Sequence, residues 1–261
     1  MITLRELTKV FGTQTAVGGL SLEIPAGQIV GFLGPNGAGK STTLKMITGM
    51  LKPTSGTAII AGHDLATDPM AVKRSVGFVP ESGALYESLS GLEYLRMVAS
   101  LYGIAAEQAD ARIAEFIQFF DLTWDVLTEK LLAAYSKGMR RKIVIISALL
   151  HNPPVLLFDE PLDGLDVNAA MGFKTLIQTL AKQGRTIVYS SHILDVVEKV
   201  CDRVVIINQG KLVLDGAPAA VSAANGGRSL EEIFTALTGG DQLREKAENF
   251  ARTFTDHGDR G

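Results

Sequence analysis

One stretch of the sequence has the residue types and the spacing of a phosphate-binding loop, GxxxxGK[ST]. The stretch runs Gly34-Pro35-Asn36-Gly37-Ala38-Gly39-Lys40-Ser41-Thr42. Glycines allow backbone N–H groups to turn inward and form an anion site at a helix N-terminus. A lysine at position 40 reaches the β- and γ-phosphates of a nucleotide, and the Ser41 hydroxyl is placed to ligate Mg²⁺. The alternative is a glycine-rich turn that matches by chance, so the flanking sequence has to decide.

The flanks supply the strand and the helix that this motif requires. Residues 28–33 are a short apolar run after Gly27, which is typical of a buried parallel strand. Residues 41–48 are predicted to form a helix, with Gly49 placed to end it. The sequence therefore predicts a strand–loop–helix unit that binds phosphate.

Further candidate residues follow two apolar strands later in the chain. Asp159 and Glu160 come directly after the apolar run 155–158, and His192 comes shortly after a predicted strand at 186–189. The carboxyl ends of strands in an open α/β sheet face the ligand crevice. Two bland alternatives stay open: the acids could simply cap a strand end, and the histidine could make only a structural hydrogen bond.

Composition narrows the class of protein. The chain has 261 residues, which fits one large α/β domain with an elaboration, and 46% of them are apolar, enough to bury a sizeable core. Its net charge is −3. The sequence has no long Lys/Arg block, which argues against a nucleic-acid partner. Cys201 is the sole cysteine, so no internal disulfide can form. The N-terminus does not resemble a signal peptide, and apolar runs such as 143–150 are too short to span a bilayer. We expect a soluble chain whose role at a membrane would require a partner.

The remaining elements must position the candidate residues. Two strands before the loop, 2–10 and 17–24, predict an antiparallel β-layer beside the main sheet. Ser90 and Glu93 form a capping box that begins a helical region extending to about residue 150, between strands of one sheet. Other predicted elements are strands 57–61 and 75–79, helices 69–74, 107–120, 139–150 and 167–182, a hairpin of 204–207 with 211–214, and a helix from 229 to about 237. The charged, glycine-containing segment 239–261 is predicted to be a poorly packed tail.

Five further motifs, in this order and spacing, resemble those of the ATP-binding subunit of an ABC transporter over about residues 1–237. The Walker B segment is matched by Leu156-Leu157-Phe158-Asp159-Glu160-Pro161, the signature by Tyr135-Ser136-Lys137-Gly138-Met139, the D-loop by Leu162-Asp163-Gly164-Leu165-Asp166, the switch histidine by His192 and the adenine-stacking aromatic by Phe11. The resemblance implies an α/β fold: a P-loop NTPase core with a mixed, mainly parallel sheet, an antiparallel β-layer and an inserted all-helical subdomain. We expect one ATPase domain at 1–238, with the helical insertion at about 86–150.

The resemblance also implies roles for these residues. Phe11 and residues 34–42 would bind ATP, and Asp159 would hold Mg²⁺ directly or through water. Glu160 would polarise the attacking water as a general base, an effect worth typically about 10²–10⁴-fold. His192 would contact the γ-phosphate and orient the water and Glu160. For Phe11, ordinary burial in the core is an equal alternative.

The signature is implied to act on a second subunit. Ser136 and Gly138 open a helix, and such a helix end with a small hydroxyl suits a γ-phosphate. Because this helix belongs to the inserted subdomain, the resemblance implies that it caps the ATP of the other subunit. Two ATP molecules would then be sandwiched in a head-to-tail dimer, for which we expect two identical subunits.

Three departures from the family pattern carry information. The signature reads YSKGM instead of LSGGQ, the D-loop begins with Leu162-Asp163, and Glu81 stands where the family usually has the Q-loop glutamine. The Pro80-Glu81 pair and YSKGM resemble exporter-type ATPases whose membrane partner is a separate permease. Glu81 would then be a third Mg²⁺ ligand, and the alternative is a solvated acid in a loop.

The sequence thus predicts a Mg²⁺-dependent ATP hydrolase that drives a separate permease, for export, at the cytoplasmic face of the cell membrane. The rival hypothesis is a soluble mechanical ATPase of the same fold. A single phosphate loop and the absence of coiled-coil arms or a basic face argue against this rival. A third hypothesis is a catalytically dead assembly switch, and the presence of Lys40, Asp159, Glu160 and His192 argues against it.

Overall fold

The computed structural model describes residues 1–239, 246–247 and 250–251. Its strands are β1 Ile2–Phe11, β2 Gln14–Ile24, β3 Ile29–Leu33, β4 Ser55–Ile60, β5 His63–Asp64, β6 Val76–Val79, β7 Val155–Asp159, β8 Thr186–Ser190, β9 Arg203–Asn208 and β10 Lys211–Gly216. Its α-helices are α1 Lys40–Ile47, α2 Pro69–Ser75, α3 Gly91–Leu101, α4 Ala106–Phe119, α5 Trp124–Glu129, α6 Lys137–Leu149, α7 Val167–Lys182, α8 Leu194–Val200, α9 Pro218–Ala224 and α10 Leu230–Thr238. The predicted tail, 239–261, lies almost wholly outside the described residues.

A six-stranded sheet forms the centre of the fold, in the order β10-β9-β3-β8-β7-β6. Strands β9, β3, β8, β7 and β6 are parallel, and β10 runs antiparallel at one edge. Leu156 and Phe158 pack into the core on one face, whereas Val155 and Leu157 pack into the core on the other. Because both faces are covered, the central strands are continuous apolar runs, as the sequence predicted.

A second, four-stranded antiparallel sheet has the order β2-β1-β4-β5 and packs with α1 and α2 over one face of the central sheet. The predicted antiparallel layer is therefore confirmed. The predicted strand 57–61 belongs to this layer as β4, paired with β1.

The helical insertion comprises α3 to α6 and connects β6 to β7, which are neighbours in the central sheet. Ser90 and Glu93 make the predicted capping box at the start of α3. Leu95 and Ala99 lie on the buried face of this helix. Of the four described helices with six or seven residues, only α2 was predicted, because so few residues give little periodicity. The fold class predicted from the sequence is confirmed, while the proposed domain boundary at 238 stays a prediction.

Parallel strands bring their carboxyl ends to one edge of the sheet. The phosphate loop follows β3, Glu81 follows β6, Glu160 follows β7 and His192 follows β8. Within the described residues, none of the helices combines the length and apolarity that crossing a membrane requires.

Candidate active site

The phosphate loop adopts a backbone that depends on glycine. Gly37 and Gly39 have φ values of +79° and +104°, in the left-handed region that side chains disfavour. Gly39 is the N-cap of α1, and a Cβ atom there would lie 2.5 Å from the carbonyl oxygen of Ala16 on β2. The loop is thus held against β2 at the N-terminus of α1, where helix N–H groups favour an anion.

The Lys40 ammonium group is buried and bonded to its own loop. Its Nζ donates to the carbonyl oxygens of Gly34 and of Pro35, the latter at 3.2 Å. Burial lowers the pKa of Lys40, and the nearby carboxylates of Asp159 and Glu160 oppose that shift. A cation that is poorly solvated and held only by carbonyls gains from an incoming phosphate.

Ser41 and Asp159 form the candidate Mg²⁺ site. The Ser41 hydroxyl donates to Oδ2 of Asp159 at 2.9 Å, and Glu81 lines the same cavity. Such hard oxygen donors fit Mg²⁺, which proteins usually bind through one or two carboxylates together with substrate phosphates. A serine hydroxyl and two carboxylates leave further Mg²⁺ ligands to be supplied by the phosphates of a nucleotide.

Glu160 has an unusual backbone conformation, and one oxygen of its carboxylate is buried. Its φ is +50°, and its N–H donates to the carbonyl oxygen of Ser190 at 3.0 Å. Oε1 is buried without a hydrogen-bond partner among the described residues, although Nε2 of His192 lies within ion-pair distance at 3.4 Å. Burial raises the pKa of Glu160, His192 opposes this shift, and Asp159 adds to it. An acceptor oxygen in this environment is suited to take a proton from water.

These groups line one cavity of about 220 Å³. Its lining residues are Gln14, Ala16, Pro35, Asn36, Gly37, Ala38, Gly39, Lys40, Ser41, Thr42, Glu81, Asp159, Glu160 and His192. Gln14 and Ala16 were missed in the sequence analysis. Both lie on β2, immediately after the turn that begins at Phe11, and only their position in this hairpin could have indicated them.

Phe11 is not a core residue, so that alternative was wrong. Its side chain is 50% exposed, and it ends β1 opposite the cavity residue Gln14. The Nζ of Lys9 lies 5.0 Å from the ring centroid and covers one face. A stacked adenine would have to use the other face or displace Lys9, and this role stays a prediction.

The signature residues begin α6 and stay outside the cavity. Ser136 is exposed and N-caps α6, where its hydroxyl accepts from the N–H of Met139 at 3.2 Å. This cap starts the helix at Lys137, two residues earlier than predicted. Tyr135 is buried and donates through its hydroxyl to the carbonyl oxygen of Val126 at 2.8 Å. None of the five signature residues, all in the described part of the chain, lines the phosphate cavity.

The signature instead contacts the predicted D-loop of its own chain. Nζ of Lys137 lies 2.7 Å from Oδ1 of Asp163. A Cβ atom at Gly138 would lie 2.6 Å from the carbonyl oxygen of Gly164, so the backbones approach too closely for a side chain. The start of α6 and the segment after Glu160 therefore form one packed unit.

The rest of the predicted D-loop has structural contacts. Leu165 is partly buried against the core. Asp166 is the N-cap of α7 and accepts from the N–H of Ala169 at 2.8 Å, with Nζ of Lys142 at 3.3 Å. Asp166 therefore stabilises the start of α7. A functional role for its carboxylate would have to be compatible with this N-cap.

Arg141 on α6 was also missed. It is 6% exposed, and its guanidinium donates to four backbone carbonyl oxygens: Pro80 at 2.7 Å, Glu81 at 3.3 Å, Glu160 at 2.6 Å and Asp163 at 3.3 Å. Burial lowers the pKa of Arg141, and the surrounding acids oppose that shift. Its position one turn after Lys137 on α6 was the available signal.

Comparison with known proteins gives consistent matches. The model of the family described as ABC transporter matches residues 17–163. The ABC transporter ATP-binding protein NatA of Bacillus subtilis is 37% identical over 240 residues, covering 90% of this chain and 96% of NatA. A Nod factor export ATP-binding protein I of Burkholderia lata is 33% identical over 253 residues, covering 96% of this chain and 81% of that protein.

Two solved structures are similar along most of their length. An ATP-binding subunit of an ABC transporter superposes with a TM-score of 0.85 at 32% identity, covering 91% of this chain and 99% of the other. A dimeric ATP-binding cassette in a post-hydrolysis state, bound to ADP and Pi, gives a TM-score of 0.76 at 25% identity, covering 83% and 98%.

Proposed function

The chain belongs to the ABC transporter family as an ATP-binding subunit, and we propose that it hydrolyses ATP to drive a separate membrane permease in export. The observation that carries the proposal is the cavity where Lys40, the Ser41–Asp159 pair and the Glu160–His192 pair converge. The YSKGM signature and the similarity to a Nod factor export ATP-binding protein support export.

Each residue of the cavity has a distinct role in the proposed reaction. Lys40 exchanges its carbonyl contacts for the β- and γ-phosphates of ATP. Ser41, Asp159 and Glu81 would hold Mg²⁺, which would neutralise part of the phosphate charge. Glu160 accepts the proton of the water that attacks the γ-phosphorus, the bond from that phosphorus to the β–γ bridging oxygen breaks and ADP leaves, and His192 orients the Glu160 carboxylate.

We propose that the working unit is a head-to-tail dimer of identical subunits. Ser136 is exposed at the N-terminus of α6, a helix of 13 residues, yet lies outside the phosphate cavity of its own chain. A helix terminus of this kind is suited to the γ-phosphate of a second subunit. The similarity to a dimeric ATP-binding cassette supports this arrangement.

The proposed contact with the permease lies in a groove between the core and the helical insertion. This cavity, of about 330 Å³, is lined by Thr48, Met50, Lys73, Val76, Phe78, Tyr94, Val98, Leu101, Tyr102, Ser147, Ala148 and His151. Met50 and Leu101 are 65% and 77% exposed, which suits an apolar helix of the partner. Tyr86, 65% exposed, lies 6.4 Å between ring centroids from Tyr94, which lines this groove. Docking here would hold the subunit at the cytoplasmic face of the membrane.

The test is ATP hydrolysis by the purified chain in liposomes, with and without a multi-span membrane protein encoded in a neighbouring reading frame. Hydrolysis that rises with the reconstituted partner and is abolished by Lys40→Ala supports the proposal. Stimulation by duplex DNA or ribosomes, with no response to the membrane protein, would instead favour the mechanical ATPase.

A further inference from the structure

We propose that Arg141 is a positioning residue for ATP hydrolysis: its guanidinium fixes the Glu160 peptide and the Pro80-Glu81 segment relative to helix α6. The inference rests on the proposed function for its kinetic test. Arg141 does not line the phosphate cavity, so it would act through the residues that do.

The acceptors of the Arg141 guanidinium are its distinguishing feature. All four are backbone carbonyl oxygens, and they come from three segments: the end of β6, the end of β7 and the D-loop. Arginine presents five N–H donors in a rigid planar fork, whereas lysine offers a single nitrogen on a flexible stem. The site therefore requires the geometry of a guanidinium as well as its positive charge.

Among the four carbonyl acceptors, Glu160 is the one whose backbone depends most on the Arg141 guanidinium. Its carbonyl oxygen is 2.6 Å from Nη2 of Arg141, and its own N–H is bonded to Ser190. A glutamate at φ +50° persists only where the surroundings hold it on both sides. Without the guanidinium, the Glu160 carbonyl oxygen keeps only the longer bond from the Asp163 N–H, at 3.2 Å. The peptide can then relax, and the carboxylate would move relative to His192.

The same face of α6 holds this segment at a second point. Lys137, four residues before Arg141, pairs with the Asp163 side chain, while Arg141 donates to the Asp163 carbonyl oxygen. Ser136, the proposed contact to the partner's ATP, is the N-cap of this helix. A movement of α6 is thereby transmitted to the backbone of Glu160 in the same chain.

The bland alternative is that Arg141 only stabilises the fold by satisfying buried carbonyls. Arg112 on α4 offers a matched control, because its Nη1 donates to the carbonyl oxygen of Leu150 at 2.7 Å in the same helical insertion. Arg112 does not line the phosphate cavity, and its bond to Leu150 involves none of the loops that meet there. If Arg141 had a structural role alone, Arg112→Gln and Arg141→Gln would have the same effect on kcat, and each would lower Tm.

The experiment compares Arg141→Lys, Arg141→Gln and Arg112→Gln in kcat, KM for ATP, ATP affinity and Tm. We expect Arg141→Gln to lower kcat by roughly 10- to 100-fold, as displacements of about 1 Å do, with ATP affinity changed less than about threefold. Arg141→Lys should fall between wild type and Arg141→Gln. Arg112→Gln should have a lower Tm than wild type but a kcat within about twofold of wild type. Equal kcat losses for Arg112→Gln and Arg141→Gln, or a kcat for Arg141→Gln within about twofold of wild type, would overturn the proposal.

Hydrogen exchange in the nucleotide-free protein gives a readout that needs no ATPase activity. The Asp163 N–H donates to the Glu160 carbonyl oxygen at 3.2 Å, so residues 160–163 should exchange faster in both Arg141 variants and unchanged in Arg112→Gln. Unchanged exchange there in Arg141→Lys contradicts the inference even if Arg141→Gln fails to fold. A wild-type chain that does not hydrolyse ATP would contradict the proposed function, while the exchange result would still decide on Arg141.

Discussion

Nε2 of His192 lies 3.4 Å from Oε1 of Glu160, across the ends of two neighbouring parallel strands. Strand register sets this contact, because Asp159 of β7 pairs with Ser190 of β8 and the Glu160 N–H donates to the Ser190 carbonyl oxygen. The register of the sheet thus brings the pair together. Glu160 faces the cavity with a buried oxygen that has no hydrogen-bond partner among the described residues, which suits a proton acceptor.

Replacing Glu160 with glutamine should separate binding from hydrolysis. Glu160→Gln keeps the shape of the side chain and removes the base, so we expect ATP affinity near that of wild type and hydrolysis slower by about 10²-fold or more. The ATP-bound dimer should accumulate and be visible by size-exclusion chromatography. Glu198→Gln, on the exposed side of α8, is the control and should hydrolyse normally. Wild-type turnover in purified Glu160→Gln would remove Glu160 from the role of base.

Loss of the Lys40 ammonium should instead weaken binding itself. Lys40→Ala removes a charge-assisted phosphate contact, worth about 1.5–3 kcal/mol, which corresponds to roughly 10- to 150-fold in Kd. Isothermal titration with ATP measures this loss. Lys45→Ala, an exposed lysine on the same helix α1, is the matched control. An ATP affinity for Lys40→Ala equal to that of Lys45→Ala would contradict the assignment.

The sequence indicated the residues that line the phosphate cavity better than the residues that hold the loops around it in place. Lys40, Asp159 and Glu160 sit in local patterns, a glycine-rich loop and an apolar strand ending in acids, so their neighbours in the chain reveal them. Gln14 and Arg141 reach the site through a hairpin register and a helix packed on three loops. Contacts between segments that are distant in the chain leave no periodic signal in one sequence.

The proposed dimer predicts recovery of activity when two inactive variants are mixed. Ser136→Arg places a long cation where the partner's γ-phosphate would lie, and Lys40→Ala disables the other half of a site. In a mixed head-to-tail dimer, one site carries both defects and the other carries neither. Partial ATPase activity should therefore return on mixing, up to about half per mixed dimer if the sites act independently. Stably mixed dimers that remain inactive would argue against a site shared between subunits.

Stability should fall in mild acid because of His151. This ring stacks on Tyr102 with centroids 3.7 Å apart, and burial lowers the pKa of His151 to about 4. Unfolded histidine takes up a proton near pH 6.5, so the free energy of unfolding is highest above that pH and falls as pH drops from 6.5 toward 4. The slope is at most about 1.4 kcal/mol per pH unit, and partial exposure of the ring reduces it.

Urea unfolding at pH 7.5, 6 and 5 measures this contribution. His151→Phe keeps the stacking on Tyr102 and removes the titrating group, so its stability should depend less on pH than that of wild type. His63→Gln, at an exposed position in β5, serves as the control and should follow wild type. The same pH dependence in wild type and His151→Phe would exclude His151 as the cause.

Glu81 is the least usual residue of the proposed site, because an anion replaces the neutral glutamine of the family pattern. Its side chain is exposed and lines the phosphate cavity, while its carbonyl oxygen is held by Arg141. At about 5–6 Å from a γ-phosphate and an effective dielectric of about 20, each unit of like charge costs roughly 3 kcal/mol. The double charge of Mg²⁺ has to offset this repulsion. Glu81 should therefore engage the nucleotide only when the metal is present.

Two substitutions of Glu81 separate sensing of the metal from coupling to the permease. Glu81→Ala should keep ATP binding and part of the basal hydrolysis but lose stimulation by the permease, since the adjoining segment extends to Tyr86 at the edge of the docking groove. Glu81→Gln should keep stimulation but require more Mg²⁺ for half-maximal activity, because a neutral oxygen is the weaker ligand. The measurement is ATPase activity against Mg²⁺ concentration, with and without the reconstituted permease. The control is Glu87→Gln, because Glu87 is an exposed acid six residues after Glu81 and pairs with Arg140 of α6. If Glu81→Ala responds to Mg²⁺ and to the permease as wild type does, Glu81 is a solvated loop acid, because neither the metal nor the partner then depends on its charge.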